Sequence, residues 1–145
     1  MKNLLLIFSL ALTLKASAQE PLFTLTLQKQ SLSISPDGDN EDKIITLSLQ
    51  TAYTKTDQLI IISENWKEEK DWKRSFTLMD KDDNLISDIP EMTKPGKFCV
   101  SLENLSRVLK SGQAYRLYTV AYPRDPQQAM LVKVARRLVC NISAR

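Results

Sequence analysis

The sequence of 145 residues contains no histidine, only three glycines and only two cysteines. Because histidine is absent, the chain lacks the usual general base near neutral pH, the Ser-His and Cys-His nucleophile pairs and the commonest transition-metal ligand. The glycines, at positions 38, 96 and 112, are too far apart to form a phosphate-binding loop. We therefore predict that the protein is not an enzyme and carries no cofactor. A hydrolase that uses two carboxylates or a Ser-Lys pair stays a minor alternative, since neither leaves a local signature.

The first 18 residues have the three parts of a cleavable secretory signal peptide. Lys2 supplies the positive start, residues 4–14 form a mostly apolar stretch, and Ala16-Ser17-Ala18 supplies the small residues that a signal peptidase requires. The stretch is shorter than the roughly 20 residues that cross a bilayer, which argues against an uncleaved anchor. We predict cleavage before Gln19 and one mature domain, residues 19–145, that is secreted or periplasmic and is not inserted in a membrane.

Cleavage also changes the charge of the protein. The whole chain has 20 Lys and Arg against 17 Asp and Glu; the signal peptide holds Lys2 and Lys15, which leaves 18 against 17. This nearly neutral mature domain gives no electrostatic reason to expect binding to nucleic acid or to anionic membranes. We expect its partner to be another exported or envelope protein.

The two cysteines, Cys99 and Cys140, both belong to the mature domain. An even number of cysteines in an exported chain predicts a disulfide. A Cys99–Cys140 bond would close a loop of about 40 residues and would stabilise the domain by roughly 4 kcal/mol. The alternative is a pair of buried thiols; a zinc site is disfavoured because two thiolates without a histidine are a poor ligand set.

Short apolar runs with a period of two, separated by turn residues, dominate the mature chain and are typical of β-strands. The clearest runs lie at 23–27, 32–34, 45–49, 76–78, 98–102 and 114–122. A continuous apolar run at 59–62 predicts a strand covered on both faces. About seven or eight such strands without βα alternation predict an all-β antiparallel sandwich, immunoglobulin-like or transthyretin-like. A closed barrel such as a lipocalin is the second choice.

Helix is expected in at most one or two short turns. Residues 103–110 carry apolar side chains at one-face spacing, and Gly112 follows as a stop signal. Residues 64–73 are a second candidate, in which Glu69 and Lys73 would pair at i, i+4. The two tryptophans of that stretch lie six positions apart and would not share a helix face, so this helix is disfavoured.

The C-terminal third predicts a hairpin of two long strands. Residues 114–122 are rich in aromatic and β-branched types, and Pro123 to Pro126 then break the strand. From Met130 to Cys140 most apolar residues, including Val132 and Val134, fall on one parity, which predicts the second strand. Arg136 is out of place in this alternation and predicts a bulge.

One acidic segment has a partial calcium-loop pattern. Asp37, Asp39 and Glu41 place carboxylates at alternate positions, as the start of such a loop does. The sixth and twelfth positions, where Gly and a bidentate Glu are needed, hold Asp42 and Ser48. A solvated turn between two strands is therefore the favoured interpretation, and calcium binding through these aspartates is left open.

Other short motifs give weaker indications. Residues 36–40 resemble the Pro-Asn-Gly-Asp-Gly turn that opens certain bacterial surface β-sandwich modules, with Asn40 in place of the second glycine. The resemblance favours an envelope module. Asn104 and Asn141 match the N-glycosylation pattern, which has meaning only in a eukaryotic secretory host.

Trp66 and Trp72 stand in a highly charged stretch and are the candidate partner-binding residues. They must either pack on the edge of the sandwich, which is the favoured interpretation, or stand out as a contact surface. Tryptophan is enriched in interface hot spots because it buries a large area at a low cost in conformational entropy.

Together these observations predict a non-enzymatic protein-interaction module of the cell envelope or extracellular space, such as a partner-binding or assembly accessory subunit. One alternative is a small-molecule-binding barrel or sandwich whose open interior is lined by Tyr115, Tyr118 and Tyr122. Another is an inhibitor of an exported enzyme. A large apolar cavity would favour the ligand binder, whereas a filled core with exposed tryptophans would favour the interaction module.

Overall fold

The computed structural model describes residues 23–35, 40–67 and 69–145. These residues form nine strands and two short helices: β1 Phe23–Leu27, β2 Gln30–Ile34, β3 Ile44–Leu47, β4 Gln58–Ser63, β5 Trp72–Met79, β6 Leu85–Ile89, β7 Lys97–Ser101, α1 Leu102–Val108, β8 Ala114–Pro123, α2 Pro126–Leu131 and β9 Arg137–Ala144. The predicted signal peptide (residues 1–18) and two aspartates of the calcium hypothesis, Asp37 and Asp39, lie outside the described residues.

The strands form a four-stranded and a five-stranded sheet, which gives the all-β, sandwich-like architecture that the period-two runs predict. The four-stranded sheet has the order β2-β1-β4-β7 and is antiparallel throughout. The five-stranded sheet has the order β3-β9-β8-β5-β6, and its edge pair β3–β9 is parallel. The expectation of a wholly antiparallel sheet is wrong at this edge. A parallel pair requires a long crossover, and here nearly the whole domain lies between the two strands.

The inner faces of the two sheets form a filled apolar core. In β1 the alternation buries Phe23, Leu25 and Leu27 and leaves the threonines between them half-buried. The Phe76 ring, from the five-stranded sheet, contacts Phe23 and Phe98 of the four-stranded sheet at centroid distances of 5.3 and 4.7 Å. Both contacts are edge-to-face, the geometry that aromatic pairs favour. This aromatic cluster joins the two sheets.

The run at 59–62 forms β4, but only one face of that strand is fully buried. Leu59 and Ile61 point into the core, whereas Ile62 is partly exposed. The prediction of a strand covered on both faces is therefore wrong. The inner face of this antiparallel sheet packs against the second sheet, and antiparallel sheets commonly leave their outer face to solvent.

The predicted disulfide is absent: Cys99 and Cys140 are both free and buried. Cys140 lies in the core, on the inner face of β9. Cys99 follows Phe98, which points into the core, so strand alternation turns the Cys99 side chain to the outer face of β7. The two thiols thus lie on faces that do not meet. Burial raises the pKa of the Cys140 thiol to about 12.

The C-terminal hairpin forms, but its second strand begins later than predicted. β8 and β9 pair antiparallel. Met130 belongs instead to α2, which Asp125 caps by accepting a hydrogen bond from the Gln127 amide, with Pro126 in the first turn. These start signals outweigh the period-two pattern. The register shift lies opposite Leu117 and Tyr118 rather than at Arg136, which precedes β9.

The first predicted helix is confirmed as α1, and the second is not formed. The Ser101 hydroxyl caps α1 by accepting from the Asn104 amide. Residues 64–67 form turns, and Trp72 already begins β5. The side chain of Gln30, on edge strand β2, exchanges two hydrogen bonds with the backbone of Thr46 on edge strand β3, at 2.6 and 2.9 Å. One side-chain amide therefore bridges the two sheets at this side.

Candidate functional site

The two candidate tryptophans border different parts of the molecule, and both are partly exposed. Trp66, 37 % exposed, packs on Gly96: a Cβ at that glycine would come within 2.6 Å of the tryptophan side chain. Gly96 also has a φ of +75°, which other residues rarely adopt. Trp72, 39 % exposed, is the first residue of β5 and lies opposite Pro123 of β8. Trp66 therefore packs beside Gly96, whereas Trp72 lies on the paired strands β5 and β8.

Trp72 borders a cavity of about 430 Å³ at one end of the sandwich, here called the end cavity. Phe23 and Ile34 of the four-stranded sheet form one wall. Thr119 and Ala121 of β8, together with the beginning of β9, form the opposite wall. The irregular connection at 132–135 lies along the cavity between α2 and β9. The cavity opens where the strands of the two sheets begin or end.

An ion pair between Arg74 and Glu69 lies in the wall of the end cavity. Arg74 Nε donates to Glu69 Oε2 at 2.9 Å, and a second guanidinium nitrogen donates to Oε1, so the pair is bidentate. The two side chains are only 11 % and 19 % exposed. The disfavoured helix over residues 64–73 would pair Glu69 with Lys73 instead. That pairing required a helix, and the turn before β5 presents Arg74 instead.

Further contacts hold the Arg74 guanidinium in one position. Its Nη1 donates to the hydroxyl of Thr119 at 3.1 Å, and that hydroxyl donates to the carbonyl of Ser75 at 3.0 Å. The guanidinium carbon lies 5.1 Å from the centroid of the Phe23 ring, a cation–π contact. The arginine is therefore oriented by an acid, a hydroxyl and an aromatic ring.

Asn40 fixes the opposite side of the end cavity. Its side chain is buried, and Nδ2 donates to the carbonyls of Ser35 at 3.3 Å and Leu138 at 3.2 Å. These bonds connect the end of β2 to the beginning of β9. Sequence analysis treated Asn40 only as part of an acidic turn, because its partner Leu138 lies 98 positions away in the sequence.

Large exposed apolar side chains line the end cavity or directly precede its lining residues in the sequence. Met130 and Leu131, at the end of α2, are 86 % and 85 % exposed. Val132 and Val134 follow them and line the cavity beside Trp72, each with much of its surface exposed. We call these five residues the apolar rim. The sequence pattern placed four of them in a strand; the Asp125-Pro126 helix start was the signal that could have corrected it.

The connection that carries the rim is fixed at its far end by Arg136. Its guanidinium carbon lies 4.2 Å from the centroid of the Tyr118 ring, and its Nη2 lies 3.2 Å from Asp83 Oδ1. Asp83 belongs to the turn between β5 and β6, where Asp80 accepts bonds from the Asn84 amide and side chain. These bonds from Asn84 lower the pKa of Asp80.

The three tyrosines proposed to line a ligand site lie outside the end cavity. Tyr115 is buried, and its hydroxyl accepts a hydrogen bond from the Lys110 amide at 2.7 Å. Tyr118 lies against Arg136, and the Tyr122 ring is 6.0 Å from Lys73 Nζ. Other residues therefore line the end cavity.

Three remaining sequence hypotheses concern metal, glycan and membrane. In the described ranges, no group of three or more His, Cys, Asp or Glu side chains is placed to hold a metal ion. Asn104 is exposed, whereas Asn141 is half-buried and its Nδ2 donates to the Glu41 carbonyl. Between residues 23 and 145, the described part of the chain has no helix with the length and apolar character to span a bilayer.

Comparison with known proteins does not add a family to these observations. No protein-family model, no curated protein and no solved structure matches the chain. The end cavity, the apolar rim and the charges between them are therefore the features that bear on function.

Proposed function

We propose that this chain is an exported, non-enzymatic protein-interaction module of the cell envelope or extracellular space. In this proposal the domain is an immunoglobulin-like or transthyretin-like sandwich, and it binds another exported protein through the apolar rim. The observation that carries the proposal is the exposure of Met130 and Leu131 beside Val132, Val134 and Trp72. Single exposed apolar residues are normal on protein surfaces, but a contiguous group is typical of an interaction site.

The apolar residues of α2 have no evident role in stabilising the domain. None of the six residues of this helix is buried. The transfer free energy of an apolar side chain is gained only when the side chain leaves water, at about 1.5–3 kcal/mol for a fully buried Leu, Met or Val. Met130 and Leu131 would gain that energy on contact with a partner.

Trp72 supports the same surface, because it lies beside Val132 and Val134 at the cavity mouth. Tryptophan is enriched among interface hot spots, and Trp72 is 39 % exposed. Trp66 packs on Gly96 and is a separate candidate contact with its own test. Alanine at Trp72 should weaken partner binding more than alanine at Trp66.

The proposal is tested by site-specific photo-crosslinking in the native host. A benzoylphenylalanine at Leu131 should form a discrete adduct with one exported protein, and Met130→Ser should abolish it. Benzoylphenylalanine at Gln113, an exposed polar position, is the matched control and should give no such adduct. If positions 131 and 113 give the same products, or neither gives any, the rim is not a partner surface.

Self-association is the other occupant that this experiment must separate. Light scattering of the purified mature protein would show a dimer directly. A dimer that Leu131→Ser converts to a monomer would mean that the rim binds a second copy of the chain, which would replace the proposal of a different partner.

A further inference from the structure

Beyond protein binding, we propose that the end cavity is a binding site for a neutral, mostly apolar small molecule. In this proposal the molecule places one hydrogen-bonding group on the Glu69–Arg74 pair. The volume of about 430 Å³ falls in the range of ligand pockets, roughly 300–1,000 Å³. The end cavity lies at one end of the sandwich, and the core beside it is filled by fully buried side chains.

The walls have the composition of a small-molecule site. Apolar side chains form most of the accessible lining, among them Trp72, Val132, Val134 and Leu138. A few polar groups are fixed among them, and such groups orient a ligand in an otherwise apolar pocket. Here they are the Glu69–Arg74 pair and the Thr119 hydroxyl, each held by hydrogen bonds to the surrounding protein.

The ion pair retains hydrogen-bonding capacity after its own contacts are counted. Arginine has five N–H groups, and three of those on Arg74 donate to described residues, Glu69 and Thr119. Each carboxylate oxygen of Glu69 can also accept more than one hydrogen bond. An alcohol, amide or ketone can therefore bond to this pair without displacing either partner.

The charge of the pair selects against ionised ligand groups inside the cavity. A carboxylate at Arg74 would lie beside the Glu69 carboxylate, and an ammonium at Glu69 would lie beside the guanidinium. Either would place an unbalanced charge in a largely buried site, which costs free energy unless it is paired. Lys133 and Arg137 also border the cavity, but both are exposed to solvent, where charge interactions are screened.

A matched pair of fluorescent probes tests this selectivity: N-phenyl-1-naphthylamine, which is neutral, and 1-anilinonaphthalene-8-sulfonate, which has the same rings and one negative charge. The mature protein should bind the neutral probe at least about tenfold more tightly. In Trp66→Phe, Trp72 is the only tryptophan, and its emission should be quenched as the neutral probe binds.

The strongest test reverses the preference. Glu69→Gln removes the negative partner of Arg74, so the sulfonate should gain at least about tenfold in affinity relative to the neutral probe. Glu103→Gln is the control, because it breaks the Glu103–Arg107 pair on α1, which does not line the cavity. That control should leave both affinities unchanged.

A second pair of variants locates the bound probe. Ala121→Leu fills the cavity from β8 and should abolish binding of the neutral probe, whereas Ala114→Leu, at an exposed position of the same strand, should not. Thermal melting confirms that both variants fold. The double variant Met130→Ser, Leu131→Ser should still bind the probe, which separates the cavity from the apolar rim.

Three outcomes would overturn the proposal. Neutral-probe binding that survives Ala121→Leu would place the probe outside the cavity. Loss of binding in the Met130→Ser, Leu131→Ser variant would place it on the rim. A wild-type preference for the sulfonate that Lys133→Gln removes would mean that an anionic group binds at the mouth, and that the interior pair does not select the ligand.

Discussion

The core around Phe76 and the end cavity differ in how much of their apolar surface is buried. Around Phe76 the aromatic and aliphatic side chains of both sheets are fully buried. At the end cavity, Trp72, Val132 and Val134 are instead partly exposed, and Met130 and Leu131 face solvent. Closely packed apolar residues stabilise the fold. Apolar residues that stay exposed gain their transfer free energy only when a bound molecule covers them. The buried and the exposed apolar residues therefore lie in separate regions.

The largest expected effect is on the rate at which the two buried thiols are labelled. Cys99 and Cys140 are buried, so a water-soluble disulfide reagent should reach them only when the domain opens. We expect labelling in native buffer to be at least about a thousandfold slower than in denaturant, where two thiols per chain should react. A chain in which denaturant exposes no thiol would restore the disulfide.

The Cys140 thiol also makes stability depend on alkaline pH. Its pKa rises from 9.0 in the unfolded chain to about 12 in the core, so the folded state disfavours the thiolate. The resulting stability is fully present below pH 9 and should be lost progressively as the pH rises towards 12. Cys140→Ala should remove this part of the alkaline decline in melting temperature; an unchanged decline would show that other groups cause it.

Substitutions in the filled region should be far more destabilising than those at the rim. Phe76→Ala removes the ring that joins the two sheets and should lower the free energy of unfolding by about 3–5 kcal/mol in urea titrations. Val134→Ala serves as the comparison, because Val134 is 44 % exposed in the folded protein. Equal losses for the two variants would contradict the division between packed and open regions.

The Glu69–Arg74 ion pair at the end cavity should contribute an intermediate amount to the free energy of unfolding. Glu69→Ala leaves Arg74 without its carboxylate partner in a mostly buried position, and we expect a loss of about 2 kcal/mol. Glu103→Ala breaks an exposed pair and should cost less than about 0.5 kcal/mol. Calorimetry on both variants compares the two environments, and a larger loss for Glu103→Ala would reverse the assignment.

The hydrogen-bonded bridge between the two edge strands should contribute still less to the free energy of unfolding. Gln30→Ala removes both hydrogen bonds to the Thr46 backbone and should cost about 1.5 kcal/mol. Gln113→Ala, an exposed glutamine without such a bridge among its described contacts, should leave the melting temperature unchanged. If Gln30→Ala leaves the stability unchanged, water replaces the side chain at this edge.

The smallest expected effect is at the rim itself. Met130→Ser and Leu131→Ser should each change the free energy of unfolding by less than about 0.5 kcal/mol, because neither side chain is buried. Denaturant titration measures this directly. A loss above 1 kcal/mol would show that these residues pack within the domain and would weaken the case for a partner surface.

Local patterns were sufficient for most strands and for α1. The alternation of Phe23, Leu25 and Leu27 predicts their common burial because successive strand residues face opposite sides of a sheet. The same rule applied to the cysteines would have separated Phe98 and Cys99, but it does not say which face of each strand meets the other sheet. In the folded domain, Cys140 lies on the inner face of its strand and Cys99 on the outer face of its strand, so no disulfide forms.

The candidate site was much less accessible from the sequence. Glu69 and Arg74 are five positions apart, a spacing that suggests no pairing in a helix, and they meet because a turn precedes β5. Met130, Val132 and Val134 matched a strand pattern, but Asp125 and Pro126 begin a helix that stops the strand from starting there.

Short-range order follows from the sequence because it depends on residues within a few positions of one another. The period-two runs, the Ser101 helix cap and the scarcity of helix are of this kind. The end cavity depends on the tertiary structure, since Asn40 must reach Leu138 and Phe23 must meet Arg74 across the sandwich. Such contacts depend on how two sheets stack, and no local pattern specifies where the stacking leaves a space.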